Sequence, residues 1–139
     1  MMAEEAAWIP YEEWEAQVPE EIRQDPLWQM EAYRLALYLY DLAWEDCQQL
    51  MRDPRGRAIA EQLIRSAGSI CANIEEGYGR GMGRQYAQFL GYSLGSTRET
   101  RGWYYRGRRL LAPEAIAHRY RLLTQITRLL TVAHRQQKG

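Results

Sequence analysis

The sequence has few cysteines and histidines, two of each among 139 residues, and it lacks any long apolar run. Cys47 and Cys71 stand alone, with no CxxC pair and no histidine at ligand spacing, which excludes a disulfide framework and predicts two small buried side chains. No stretch approaches the roughly 20 apolar residues of a membrane-spanning helix. The first residues are acidic, whereas a secretory signal is basic and then apolar. We therefore expect a cytoplasmic protein without a membrane partner.

Groupings of residues that carry catalysis are also missing. His118 and His134 are too far apart on one predicted helix to share a metal, about 24 Å at 1.5 Å per residue. The adjacent Glu75 and Glu76 point to different sides of a helix and make no acid/base pair. The glycine-rich stretch 77–84 has neither the preceding strand nor the Gly-Lys-Ser/Thr of a phosphate loop, and is interpreted as a turn between helices. The sequence predicts no enzyme, no cofactor and no metal site.

Four segments show the apolar spacing of three to four residues that is typical of amphipathic helices, and no strand pattern competes. We predict helices over residues 27–51, 57–76 and 84–111, and a fourth that begins at Pro113, with Gly77 ending the second. The apolar stripe of the first comprises Tyr33, Ala36, Leu37, Tyr40, Ala43, Trp44, Cys47, Leu50 and Met51. Short connections favour antiparallel neighbours, so residues 25–139 are predicted to form an all-α, up-and-down four-helix bundle.

Residues 1–24 do not fit this scheme. Trp8, Tyr11 and Trp14 lie there among glutamates and prolines, which indicates an acidic N-terminal arm that packs across the bundle or onto a partner. A partly disordered leader is the alternative.

The formal net charge is zero, but the charges are divided along the chain. Residues 1–56 hold 13 acidic and 4 basic residues, whereas residues 57–139 hold 5 acidic and 14 basic residues. Such an asymmetry is typical of an interaction surface, and the alternative is that the two parts pair with each other in the fold.

A polar stripe follows one side of the second helix and is flanked by small residues. It is formed by Gln62, Arg65, Ser69, Asn73 and Glu76. Polar groups that are covered must find hydrogen-bond partners, so we interpret the stripe as a polar packing network covered by a second copy of the chain. Gly91, Gly95 and Gly102 share one side of the third helix, where close packing against a neighbouring helix would explain them. The alternative is that one monomer satisfies both faces.

Arginines form two further stripes, with almost no lysine. On the third segment Tyr105 lies among Arg98, Arg101, Arg108 and Arg109, and on the fourth Arg121, Arg128 and Arg135 recur every seven residues. Arg80 and Arg84 flank the glycine-rich turn and would add minor contacts. Guanidinium groups bind phosphates through forked hydrogen bonds and stack on bases, so these residues are the candidate nucleic-acid-binding surface.

The run 62–80 reads QLIRSAGSICANIEEGYGR and closely resembles the Q-x-x-R-A-x-x-S-I-x-x-N-I-A-E-G-Y-x-R signature of the small proteins encoded within intervening sequences of 23S ribosomal RNA genes. Residues 86–90 and 95–99 resemble the F-L…G-S-x-x-E segment of that family's third helix, and residues 32–40 fall where its first helix lies. The resemblance covers residues 27–135. Glu75 departs from the pattern, as does Arg101, and the acidic arm has no counterpart in it.

The resemblance implies a four-helix bundle that assembles into a homo-oligomeric ring, usually a pentamer. It also implies similarity to the accessory variability protein of diversity-generating retroelements, which binds a reverse transcriptase and nucleic acid. The matching residues are Arg65, Ser69, Asn73, Glu76 and Glu99, and a structural role is implied for them.

These observations lead to one main hypothesis and two alternatives. The main hypothesis is a non-enzymatic, oligomeric protein that binds RNA or DNA and is an accessory to a reverse transcriptase or to ribosomal RNA intervening sequences. The first alternative is a protein-interaction scaffold, in which the acidic arm or the arginine surface docks a partner such as a polymerase. The second is an enzyme whose site forms only between subunits.

Overall fold

The computed structural model describes residues 8–139, and every regular element in this range is helical. The prediction of an all-α protein is therefore confirmed for this part of the chain. The α-helices in chain order are α1 (Tyr11–Gln17), α2 (Glu20–Arg23), α3 (Glu31–Leu50), α4 (Pro54–Gly79), α5 (Arg84–Arg106) and α6 (Pro113–Lys138). Short 3₁₀ turns lie at Pro26–Gln29 and Arg108–Leu110. Within the described residues no helix combines the length and apolar character needed to cross a bilayer.

Local sequence signals set the ends of the long helices. The Asp53 side chain accepts a hydrogen bond from the Arg55 amide, at 2.9 Å, and Pro54 occupies the first position of α4. Pro113 has the same place in α6, where its missing N–H costs nothing. Between α4 and α5 the chain reverses through Gly81 and Gly83, whose φ angles of 88° and 93° favour glycine.

The four long helices pack in a closed cycle in which α3 contacts α4 and α6, and α5 contacts the same two helices. Successive helices run antiparallel. Between α4 and α5, for example, Thr100 bonds to Ser66 near one end, while Gly77 lies against Phe89 near the other. The interface between α3 and α6 is the least extensive of the four, and the N-terminal arm covers it.

Residues with no exposed surface fill the centre of this cycle and come from all four helices. They include Ala36, Leu39, Ala43, Leu50, Leu63, Ala67, Ile70, Ile74, Leu90, Tyr104, Ile126 and Leu130. Burying a side chain of the size of leucine contributes about 1.5–3 kcal/mol, so this core is the main source of stability.

Four predicted helix boundaries are wrong. The first long helix begins at Glu31 rather than residue 27, because Pro26 starts a 3₁₀ turn that Asp25 caps by accepting from the Leu27 amide at 2.8 Å. The second helix begins at Pro54 rather than residue 57, because Asp53 caps it and Pro54 fits its first turn. It does not end at Gly77 but continues to Gly79. The third ends at Arg106 rather than residue 111, because Gly107 stops it and the chain turns.

Two residues of the predicted apolar stripe on the first long helix are not in the core. Trp44 is 56% exposed and Met51 is 48% exposed, since both lie on the outer flank of α3 where it meets α4. The core-facing residues of this part of α3 include Ala43, Cys47 and Leu50, and Asp46 is buried beside them.

The explanation predicted for the helical glycines does not hold within residues 8–139. A Cβ at Gly95 would meet no atom within 4 Å, one at Gly91 would make ordinary contact with His134, and one at Gly102 would meet only the mobile end of Arg106. The close approaches are elsewhere. A Cβ at Gly56 would overlap the carbonyl oxygen of Leu50, at the junction of α3 and α4.

Candidate nucleic-acid interface

A cleft between α5 and α6 holds the first part of the predicted arginine surface. Arg98 and Arg101, one turn apart on α5, line this space of about 350 Å³. Its other wall is formed by Leu123, Thr127 and Thr131 of α6. Both arginines are exposed, so their guanidinium groups are available to a ligand that enters the cleft.

Tyr105 and Arg108 form a stacked pair farther along the same flank of α5. The Arg108 guanidinium lies over the Tyr105 ring, 4.0 Å from its centroid, and also donates a hydrogen bond of 2.9 Å to the Tyr105 carbonyl oxygen. Arg108 and Arg109 belong to the 3₁₀ turn rather than to α5, so the predicted helical arc does not extend to them. The pair nevertheless keeps Arg108 beside Tyr105, whose side chain is 56% exposed.

The arginines of α6 divide between two surroundings. Arg121, Arg128 and Arg135 are all exposed and lie one above another, opposite the buried side of the helix. Arg121 borders a separate cleft that it shares with Trp8 and Tyr38. The sequence prediction grouped it with the others because spacing alone does not show where the arm lies.

Of the two arginines at the turn between α4 and α5, Arg80 already has partners. It donates to Glu76 at 2.6 Å and lies over the Phe89 ring at 5.5 Å from the centroid. Arg84 is the exposed first residue of α5. Arg80 is therefore the least available of the predicted phosphate contacts.

Ion pairs within the chain do not neutralise the rest of this surface. Among residues 8–139, the basic residues within 4.0 Å of a carboxylate are Arg55, Arg65, Arg80 and Arg119. The alternative in which acidic residues of the first long helix pair with the arginine stripes is therefore not observed in this range. The candidate surface without such a pair consists of Arg84, Arg98, Arg101, Arg108, Arg109, Arg121, Arg128 and Arg135.

The predicted polar stripe lies at the surface of α4, on its side toward α5, and its members bond locally. Ser69 donates to the Arg65 carbonyl at 3.0 Å, and Asn73 donates to the Ser69 carbonyl at 2.9 Å. Glu76 accepts from Arg80, while Gln62 is half-buried. On α5, Glu99 accepts from the Trp103 indole at 3.2 Å. No hydrogen bond between two side chains of the predicted network occurs in the described chain, so packing of this stripe by a second copy stays a prediction.

The sequence analysis missed the buried polar centre. Arg119 of α6 donates from Nε to Oδ2 of Asp46 at 2.8 Å and from Nη2 to Oδ1 at 3.0 Å, and Tyr104 donates to Oδ2 at 2.6 Å. Burial alone lowers the pKa of Arg119, but the bonds and charge of Asp46 raise it above its ordinary value. The sequence contained a signal for this centre. Asp46 and Arg119 each lie at the spacing of the buried residues, Asp46 on α3 and Arg119 on α6.

The N-terminal arm, from Trp8 onward, lies across α3 and α6. Trp14 is buried, and its indole donates to Asp41 at 2.7 Å. The Trp8 ring lies 4.7 Å from the His118 ring, and the Arg119 guanidinium is 4.9 Å from the Trp8 centroid. Residues 1–7 of the predicted arm lie outside the described part of the chain.

The other candidate chemistry is accounted for by ordinary contacts. Burial raises the pKa of Cys47 to about 11 and also raises that of Cys71, so both thiols are held in the neutral form. Glu75 accepts from the Tyr33 hydroxyl at 2.7 Å. In the range 8–139 no three histidine, cysteine or carboxylate side chains are grouped closely enough to hold a metal ion.

These features define an all-α protein of antiparallel helices with an arginine-rich flank. A family model described as 23S rRNA-intervening sequence protein matches residues 27–132, and the chain belongs to this family. The matched region begins just before α3 and ends within α6, so it includes the polar stripe and most of the arginine surface but not the arm. A comparison with curated proteins found no match.

Proposed function

We propose that this chain is a non-enzymatic nucleic-acid-binding protein with a role related to ribosomal RNA. The observation that carries the proposal is the set of arginines on α5, α6 and the intervening turn, which have no carboxylate partner among the described residues. All of them are exposed except Arg108, which is half-buried. Family membership supports the link to ribosomal RNA. In this proposal the protein has no catalytic activity, needs no cofactor and acts in the cytoplasm.

The energetics of exposed charges support a ligand for this surface. Surface ion pairs contribute only about 0–1 kcal/mol, so stability gives little reason to gather arginines on one flank. Phosphate contacts, in contrast, release condensed counterions, and each one adds to the affinity and to its dependence on salt. Arginine suits this role better than lysine, because its planar guanidinium binds two phosphate oxygens at once.

The proposal includes assembly. In it, α3 to α6 form an up-and-down four-helix bundle, and several copies, five in the favoured form, close into a homo-oligomeric ring. The outward stripe on α4 supports this, since Ser69 and Asn73 bond only within their own helix and leave a surface without bulky charges at its centre. Tyr92, which is 49% exposed on the neighbouring flank of α5, adds apolar area to the same side. A ring would multiply the arginine surface, so weak contacts would add through avidity.

Light scattering on the purified protein tests the assembly. We expect a mass several times the 16.3 kDa of one chain, and a lower mass for a Ser69→Glu/Asn73→Glu variant, because assembly would bury two carboxylates without partners. A chain that remains monomeric at every concentration would overturn the ring.

The ring would act as an accessory, either to a reverse transcriptase or to ribosomal RNA intervening sequences. In this proposal the same surface binds RNA in both roles, so the first experiment measures binding itself. A fluorescent structured RNA and a matched DNA duplex are titrated with nuclease-treated protein at low and at physiological salt.

Binding is expected to fall steeply and linearly on a log–log plot of affinity against salt. The variant Arg101→Glu/Arg108→Glu/Arg128→Glu is expected to lose it. A matched control, Arg23→Glu/Arg52→Glu/Arg57→Glu, changes the net charge equally at exposed arginines outside the surface and is expected to bind as the wild type does. Equal loss in both variants would show only an effect of net charge, and absence of binding in the wild type would overturn the proposal.

A protein-interaction scaffold remains the second candidate, and the exposed groove between α3 and α4 favours it. Trp44, Met51 and Ile64 line this space of about 440 Å³, which is largely apolar. Binding of a partner in this groove would change little as the salt concentration is raised, whereas a partner bound through phosphates or arginines would dissociate. Salt-resistant capture of a protein that is lost in Trp44→Gln, together with no binding of nucleic acid, would favour the scaffold.

A further inference from the structure

The cleft between α5 and α6 and the Tyr105–Arg108 pair lie on one continuous flank of α5. Arg98 and Tyr105 are seven residues apart, which corresponds to about 10 Å along a helix. That length matches about three stacked nucleotides at roughly 3.4 Å each. The flank therefore offers two guanidinium groups followed by an aromatic ring over the length of a short strand.

A glycine forms the floor of the cleft, at a position where the described residues leave room for a side chain. Gly95 lines the cleft, and a Cβ there would meet no atom within 4 Å, so packing within the described chain does not require glycine. An exposed glycine in a helix costs about 0.5–1 kcal/mol relative to alanine. A ligand whose backbone lies close to α5 gives a reason for the bare position.

The aromatic end of the flank is arranged to receive a planar group. Arg108 covers one face of the Tyr105 ring at 4.0 Å, yet the side chain remains 56% exposed, so the opposite face is left to solvent. The neighbouring Tyr120 hydroxyl is the buried side-chain polar atom without a hydrogen-bond partner among the described residues. Burial raises the pKa of Tyr120 above its ordinary value of 10.0, and the charges of Arg108 and Arg101 oppose this.

We infer that this flank binds single-stranded nucleic acid, with phosphates on Arg98 and Arg101 and an unpaired base stacked on the open face of Tyr105. The inference rests on the proposed function and makes it more specific. In a duplex the bases are stacked on one another and do not present a face to a protein side chain, whereas single strands are commonly held by a basic groove that leads to aromatic rings. A duplex can therefore use the arginines of this flank but not the ring.

The experiment compares a short single-stranded RNA with the same strand annealed to its complement, at fixed salt, on the intact protein. We expect Tyr105→Ala to weaken single-strand binding about 5- to 150-fold, equivalent to about 1–3 kcal/mol at 1.4 kcal/mol per tenfold change, and to leave duplex binding within twofold. Tyr105→Phe, which keeps the ring, should bind as the wild type does. Trp44→Ala removes an equally exposed ring, 56% exposed, from α3 outside this flank and is the control for general effects.

A second pair of variants tests the cleft. Gly95→Ala places a methyl group where the backbone of the ligand would lie and should weaken single-strand binding, whereas Gly95→Leu should fill the floor and weaken it more than tenfold. Circular dichroism and thermal unfolding verify that both variants fold.

The outcomes separate this inference from the proposed function. Tyr105→Ala could weaken binding of the single strand and of the duplex equally, or Gly95→Leu could bind the single strand normally. Either result would show a general phosphate-binding surface, which would overturn the inference and leave the proposed function standing. If neither form of nucleic acid binds the wild type, both are overturned.

Discussion

Arg119 and Asp46 form a bidentate ion pair between α6 and α3, with Nε to Oδ2 at 2.8 Å and Nη2 to Oδ1 at 3.0 Å, and both side chains are buried. Tyr104 of α5 donates to the same carboxylate. Three of the four long helices thus meet at one carboxyl group, which specifies how α6 sits against α3 along the least extensive of the helix interfaces.

Removal of one member of this pair is expected to be costly. Asp46→Ala leaves the Arg119 charge buried without a partner, and we expect a loss of about 3–5 kcal/mol in the free energy of unfolding. Urea denaturation followed by circular dichroism measures it. The double variant Asp46→Leu/Arg119→Met removes both charges and should recover much of the loss, because apolar side chains of similar size can replace a buried pair. A double variant no more stable than Asp46→Ala would contradict this account.

The glycines of α4 and α5 should respond in opposite directions to the same change. Gly56→Ala places a methyl group against the backbone of Leu50, and we expect a loss of roughly 1–3 kcal/mol. Gly95→Ala meets nothing and should stabilise the chain by about 0.5–1 kcal/mol, since alanine loses less backbone entropy in a helix. Thermal unfolding of the two variants decides the matter. Destabilisation by both would show that Gly95 is already packed in the assembled protein.

His118 should make stability depend on pH. Burial, followed by the charges of Arg119 and Arg121, lowers the pKa of His118 below its ordinary value of 6.5, and the charge of Asp46 opposes this. The neutral ring lies against Trp8, with Nδ1 2.8 Å from the Arg119 guanidinium. Because the unfolded chain takes up the proton more readily, this contribution is present above pH 6.5 and is lost as the pH falls through the lowered pKa.

Urea midpoints measured on either side of this window test the effect. The wild type should lose stability as the pH falls below 6.5, and His118→Gln should lose less over the same interval. His134→Gln keeps His118 and serves as the control. Identical pH profiles for the wild type and His118→Gln would rule out this source of the dependence.

The tryptophans distinguish the docked arm from the exposed groove. Trp14 is 6% exposed and packs on Tyr38 and Trp28, so Trp14→Ala is expected to cost about 3–5 kcal/mol, as for other buried large-to-small changes. Trp44→Ala, at a side chain that is 56% exposed, should cost much less. Unfolding midpoints of the two variants give the comparison, and equal losses would contradict the packing of the arm described above.

Periodicity predicted the four long helices, because each of them buries one side and its apolar residues follow that side. It did not predict the short helices α1 and α2 of the arm. It failed where a residue's surroundings depend on another segment. The stripe on α3 included Trp44, since an apolar residue at helical spacing has the same pattern whether the neighbouring helix covers it or stops short of it. The end of α5 was missed because Gly107 was not recognised as a stop signal.

The sequence could predict which arginines belong to the candidate surface, but not the shape of that surface. Spacing placed Arg98 and Arg101 on one flank of α5, and the structure adds the wall of α6 that turns this flank into a cleft. The ion pair of Arg119 with Asp46 joins residues 73 positions apart, so no local pattern contained it. The sequence could show that a charged residue lies among the apolar residues of α3 and another among those of α6, but not that the two side chains form a pair.

The division of charge along the chain has a consequence at distances beyond any contact. α3 carries four carboxylates and one arginine, and it lies diagonally opposite α5, which carries four arginines and one glutamate. A molecule of zero net charge thus has regions of opposite charge on opposite sides. If the protein binds a polyanion as proposed, we expect the field to favour encounters in which α5 faces the ligand. The net charge of zero limits unspecific attraction, while the separation of charge favours the orientation in which α5 faces the ligand.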